Sequence, residues 1–134
     1  HNDELQAMYK QVTANEQMWE EYNCENAEYI ITAFGTVARI AKSAINELKE
    51  KGIHVGLVRP ITVWPFPYDA VAKAVNQPSV KAVLYVELNE GQMLEDVKLA
   101  VCGTKPIDFT GHCGSQMPTT DEIVEKILSM KEGK

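Results

Sequence analysis

Two hydrophobic periods alternate between Tyr29 and Asp69. Residues 29–34 form a continuous apolar run broken by one Thr, the pattern of a strand covered on both faces. Gly35-Thr36 turns the chain, and Val37, Ile40, Ala41, Ala44, Ile45 and Leu48 then recur at spacings of three and four. Arg39, Lys42, Asn46, Lys49 and Glu50 fall on the other side, so the spacing predicts an amphipathic helix. Gly52 supplies the left-handed residue that closes it, and residues 53–58 read as a second apolar strand. Strand, crossover helix and strand make one βαβ unit, which requires a parallel sheet around it.

Downstream, Pro60, Pro65 and Pro67 hold residues 59–67 extended, and Pro67 is placed to start a short helix over 68–75. Residues 80–88 are the third strand. Asn89-Glu90-Gly91 turns it into a helix over 92–101, with Met93, Val97, Ala100 and Val101 inward. Residues 106–110 predict a short fourth strand. Thr119 and Glu122 have capping-box spacing for a last helix, with Ile123, Val124, Ile127 and Leu128 as its core positions. Upstream, Leu5, Met8, Tyr9, Val12, Trp19 and Tyr22 share one face of a helix expected over 4–22, followed by a polar linker at 23–28. The expected organisation is an N-terminal amphipathic helix and linker at 1–28 and an α/β domain at 29–134.

Four strands alternating with helices predict a three-layer α/β/α domain with a mostly parallel sheet. Right-handed crossovers favour the strand order 2-1-3-4. The order reverses between the first and third strands, whose carboxyl ends carry Phe34-Gly35-Thr36 and Glu87-Leu88-Asn89-Glu90-Gly91. A ligand or a partner segment is to be sought in that crevice.

Composition narrows the function classes. At 134 residues and 45% hydrophobic content there is one core. A net charge of −6 argues against nucleic acid and against an anionic membrane, and no apolar run reaches the roughly 20 residues of a membrane span. The opening lacks an initiator Met and a secretory leader, so the chain is expected to be a cytoplasmic fragment of a larger protein, with His1 left from a tag. Cys24, Cys102 and Cys113 are odd in number and unclustered, which fits reduced thiols better than a metal or cluster site.

No catalytic constellation assembles from the residue order. Gly35 and Thr36 open a helix and offer an anion nest, and Gly91-Gln92 open a second, yet neither GxGxxG nor GxxxxGK is present. Glu87 and Glu90 close a buried strand, with no histidine expected beside them. Arg59, held before Pro60, either clamps an anion or pairs with a carboxylate across an interface. Trp64 and Phe66 stand between prolines as a rigid apolar knob that either meets another subunit or folds back on the core. His112 and Cys113, one ligand of each kind, do not make a zinc site.

The blocks AFGTVARIAKSAINELKEKGIHVGLVRPITVWPFP and VELNEGQMLEDVKLAV resemble the C-terminal domain of the α subunit of 2-oxoacid:ferredoxin oxidoreductases of the ketoisovalerate or 2-oxoglutarate type. The likeness runs from about Glu20 to the C-terminus and implies a transketolase C-terminal-like fold. It also implies a parent complex that decarboxylates a 2-oxoacid with coenzyme A, thiamine diphosphate and Mg, and passes electrons through iron–sulfur clusters to ferredoxin. Those cofactors are expected in other domains and subunits, such as the thiamine-binding β subunit and the ferredoxin-linked subunits, and none in this chain. In place of the family's GRPGG-like turn stands Gly111-His112-Cys113-Gly114-Ser115.

Two functions follow. The first is a non-catalytic structural and subunit-interface domain of such an oxidoreductase, with Trp19, Trp64 and Phe66 as contact candidates and homodimerisation through the first helix left open. The second is an independent anion- or nucleotide-binding module in the Gly35/Gly91 crevice, drawing on Thr36, Arg59, Glu87, Asn89 and Gln92. A transketolase or a pyruvate dehydrogenase β subunit fits the VRPITVWPFP wording less well.

Overall fold

The computed structural model describes residues 1–114 and 116–133. Five strands form one sheet, and five helices connect and flank them. The elements in chain order are α1 (Asn2–Asn15), β1 (Trp19–Tyr22), β2 (Tyr29–Ala33), α2 (Val37–Glu50), β3 (Val55–Pro60), α3 (Tyr68–Val75), β4 (Ala82–Glu87), α4 (Leu94–Val101), β5 (Ile107–Gly111) and α5 (Thr120–Glu132). The strand order is β1-β3-β2-β4-β5. Apart from β1 this is the expected 2-1-3-4 order, and the pairs β2–β3, β2–β4 and β4–β5 are all parallel.

The N-terminal segment departs from expectation. The helix ends at Asn15, and Trp19–Tyr22 is instead an antiparallel edge strand on β3, with Trp19 opposite Pro60 and Glu20 opposite Arg59. Trp19 and Glu21 face out while Glu20 and Tyr22 turn in, a period of two that suits the aromatic-rich WEEY run. The linker is not a passive tether. Cys24 and Ala27 are buried, and the Cys24 thiol donates to the Leu57 carbonyl at 3.1 Å. Burial raises that thiol's pKa to about 11, so it acts as a core residue.

The core has two halves, one on each face of the sheet. Alternate residues of β2 and β4 point to opposite sides. Ile31, Ala33, Leu84 and Val86 pack under α2 and α5, while Ile30, Val83 and Tyr85 pack under α3 and α4. Thr119 caps α5 as expected: its hydroxyl accepts the Glu122 amide and the Glu122 carboxylate accepts the Thr119 amide. Helix α1 is different in kind, because it buries no residue.

Candidate functional site

The carboxyl ends of β2 and β4 meet at the switch point, where Phe34 of one turn and Glu87, Asn89 and Gln92 of the other line one cavity and Gly35 lines a second. Helices α2 and α4 lie on opposite faces of the sheet, each packed in a different half of the core. Gly35 and Gly91 stand in the two turns. Both adopt left-handed backbone, with φ of 62° and 99°.

The Gly91 side is acidic and already satisfied. Its cavity, about 270 Å³, is lined by Phe34, Val63, Glu87, Asn89, Gln92, Met93 and Asp96. The Asn89 side-chain oxygen accepts the amides of Gly91 at 2.8 Å and Gln92 at 2.9 Å, and the Glu87 carboxylate accepts the Met93 amide at 3.2 Å. The N–H donors that an anion would need are thus taken by this chain's own side chains. Asp96 is bonded by the Tyr68 hydroxyl, a contact that pushes the Tyr68 pKa up to about 12. Burial and the neighbouring Glu87 and Asp96 raise the Tyr85 phenol, whose oxygen is buried without an aligned hydrogen bond. With two carboxylates and no cation in its lining, this side repels an anion.

The Gly35 side is basic. A smaller cavity of about 100 Å³ is lined by Gly35, Ala38, Arg39, Lys42 and Arg59. The Arg59 Nη1 donates to Glu20 of β1 at 3.3 Å, and Lys42 bonds the other oxygen of the same carboxylate. The Lys42 hydrogen bond, with help from Arg59, holds the Glu20 carboxyl below the usual carboxylate range. Both cations stand in the sequence, but their shared partner comes into reach only because Glu20 lies on an edge strand and not on a helix.

The late loop comes closer to the β4 end than its sequence position suggests. The His112 amide donates to the Glu87 carbonyl at 3.4 Å, while its ring meets Glu122 at 3.1 Å. The Cys113 thiol lies beside Glu90, whose hydrogen bond and charge raise its pKa and so make it a poorer nucleophile. Ser115, the last residue of the turn that replaces GRPGG, lies outside the described residues.

Of the three aromatic contact candidates, two are on the surface. Trp64 is 60% exposed and Trp19 is 43% exposed, whereas Phe66 is 2% exposed and packs with Val58, Val71 and Met93 in the core. Trp64 meets Tyr9 of α1 edge to face at 5.8 Å. Met8, Met18, Ile61 and Val63 are also exposed large apolar residues of α1 and of the segments after α1 and β3. The 61–64 segment is fixed by backbone bonds from Ile61 and Thr62 to the Met18 carbonyl and by the Thr62 hydroxyl on the Pro65 carbonyl.

Residues 27–123 match the family described as pyruvate:ferredoxin oxidoreductase core domain II. The ketoisovalerate oxidoreductase subunits VorB of Methanothermobacter thermautotrophicus and Methanothermobacter marburgensis are 34% and 37% identical over 123 residues, 92% of this chain and 34% of each relative. The 2-oxoglutarate synthase subunit KorA of Methanocaldococcus jannaschii is 31% identical over 82% of this chain and 29% of its own length. The chain therefore spans about a third of the length of these curated relatives. Among solved structures, the 2-oxoglutarate:ferredoxin oxidoreductase from Magnetococcus marinus superposes with a TM-score of 0.76 at 23% identity, covering 90% of this chain and 21% of that one. A split-gene transketolase, an inactive β4 tetramer, gives 0.67 at 17% identity, covering 78% and 38%. The transketolase C-terminal-like architecture is shared with these two solved structures, and the chain belongs to the pyruvate:ferredoxin oxidoreductase core domain II family.

Proposed function

We propose that this chain is a non-catalytic, contact-forming domain of the α subunit of a 2-oxoacid:ferredoxin oxidoreductase. Its parent complex would join oxidative decarboxylation of a 2-oxoacid to thioester formation on coenzyme A and pass the electrons to ferredoxin. The family match and the ketoisovalerate and 2-oxoglutarate relatives support the parent reaction.

The described residues do not gather the metal ligands that a magnesium-bound diphosphate or an iron–sulfur cluster needs. Among the described residues no group of three or more His, Cys, Asp and Glu converges in a way that would hold a metal ion, as a magnesium-bound diphosphate requires. Cys24 is sealed in the core, away from the exposed Cys102 and Cys113, so the thiolates of an iron–sulfur cluster do not assemble either. No reaction step is therefore assigned to these side chains. Those groups would sit in other domains and subunits, which this domain would help to position.

The observation that carries the contact role is the exposed apolar surface around Trp64. A large aromatic held on a loop anchored to both flanks is the kind of group that dominates a protein interface, because little ordering entropy is lost when it is covered. The test is Trp64→Ala in the full-length α subunit. Its assembly with the partner subunits, followed by analytical ultracentrifugation, should weaken about tenfold or more. The folding stability of the 134-residue chain should change by less than about 0.5 kcal/mol, as for other exposed positions. Unchanged assembly would remove Trp64 from the interface and with it the main support for the contact role.

A further inference from the structure

At the carboxyl end of β4, unmatched charge and unmet buried polarity coincide. Glu87 of β4 and Asp96 of α4 both line the cavity there, and no cation lines it. Lys98, close by on α4, pairs with Glu95 instead. Each carboxylate is only partly used. Glu87 accepts the Met93 amide and Asp96 accepts the Tyr68 hydroxyl, whereas an ionised carboxylate has about four lone-pair sites. Two acidic side chains alone would be no more than a solvated edge.

What lies behind them is of another kind. Thr32 and Tyr85 are register partners on β2 and β4, both at 0% exposure, and both hydroxyl oxygens are buried with no partner. Buried hydroxyls left in that state are uncommon. The period of two puts Glu87 on the same face as Tyr85 and Phe34 in line with Thr32. The orphaned pair therefore stands directly behind two residues of the cavity wall. The Tyr85 phenol reaches toward the opening, since after burial it is Glu87 and Asp96 that raise its pKa. A hydroxyl facing two carboxylates can turn its proton to them, but its own lone pairs lack a donor. The cavity is the side from which a donor can come.

We infer that this cavity binds a guanidinium group on an alkyl stem, with its N–H donors on Glu87, Asp96 and the Tyr85 hydroxyl and its apolar parts against Phe34, Val63 and Met93. A guanidinium spreads its donors over a flat, weakly hydrated cation. That suits acceptors set on different elements better than the point charge of an ammonium does. Phe34, 37% exposed, adds an aromatic wall of the kind that favours cations. The described residues gather no metal-ligand group that would compete for the place. At about 270 Å³ the cavity falls below the roughly 300–1,000 Å³ of pockets for drug-sized molecules, so it takes one side-chain-sized group. The inference concerns this domain's own cavity and holds whether or not the surface around Trp64 is an interface.

The experiment is a 1H–15N NMR titration of the 134-residue chain at pH 7 and constant ionic strength. N-acetyl-arginine methylamide is the probe, with the citrulline analogue as its neutral isostere and the lysine analogue as the ammonium control. Expected are saturable shifts of the Met93 amide and of the Asn89 and Gln92 side-chain amides with the arginine probe. The lysine analogue should bind about tenfold more weakly, and the citrulline analogue should not saturate. Asp96→Asn and Glu87→Gln keep the shape of the wall, and each should weaken the arginine probe about tenfold. Tyr85→Phe removes a hydroxyl that has no partner in the free chain. It should leave the urea midpoint no lower while it weakens binding about fivefold. A parallel titration with free L-arginine separates the two sources of the group. Blocked arginine binding as well as the free amino acid identifies a side chain of a neighbouring protein, and preference for the free form identifies the small molecule. Shifts that never saturate, that the citrulline or lysine analogue reproduces, or that persist unchanged in Asp96→Asn and Glu87→Gln would overturn the site.

Discussion

Glu20 ties three elements together, because one carboxylate on β1 takes Lys42 from α2 and Arg59 from β3. Its pKa and that of Glu28, which is bonded to Lys81, both lie below the ordinary 4.5, chiefly through those lysine hydrogen bonds. A carboxyl with a depressed folded pKa stabilises fully above its unfolded value and loses that contribution as the pH falls through the folded one. Urea unfolding midpoints should therefore stay level down to about pH 4.5 and decline below it, with a shallower decline in Glu20→Gln. Partial exposure of these pairs keeps each contribution small; an identical acid slope in the variant would show that Glu20 contributes none. A glycine gives a sharper test. A Cβ at Gly111 would lie 2.2 Å from the Asn89 carbonyl oxygen and 2.3 Å from Phe109 Cζ. Backbone on one side and a stacked ring on the other leave little room to yield. Gly111→Ala should cost about 1–3 kcal/mol in denaturant unfolding, and a neutral result would show that the 89–92 turn moves freely.

At the level of elements, the strands and helices inside the α/β core were legible because both periods are strong there. Residues 29–33 are apolar except for Thr32, α2 keeps a clean three-to-four spacing, and the Thr119–Glu122 box forms as its spacing requires. The N-terminal segment was misread because spacings of three and four continue through Trp19 and Tyr22, although those two residues sit on opposite sides of an edge strand. Pairing with β3 decides the matter, and that partner lies some forty residues away. The same long-range contact hid Glu20 as the partner of Arg59. Which face each helix covers also depends on the packed sheet, so the residue order did not show that Phe34 shares a cavity with Glu87, Asn89 and Gln92 while Gly35 lines another. Helix α1 shows how little an isolated periodic segment is held. Its 14 residues bury nothing, and a helix of that length is marginal on its own. Hydrogen exchange should find its amides nearly unprotected while those of β2 and β4 exchange slowest. Strong protection of α1 in the isolated chain would mean that its apolar face is covered, as in a dimer.

For the whole molecule, the acidic Gly91 cavity, the basic Gly35 cavity and the apolar Trp64 surface all lie around the carboxyl end of the sheet. They offer one charged site and one surface for contact, in a chain that spans about a third of its curated relatives. No helix among the described residues is long and apolar enough to cross a membrane. The proposed division of labour, with thiamine chemistry elsewhere and this domain holding its neighbours in place, is tested most directly by calorimetric titration of the 134-residue chain with thiamine diphosphate in the presence of Mg. Heats no larger than those of dilution are expected. A saturable one-to-one isotherm would contradict the division and make this domain part of the cofactor site.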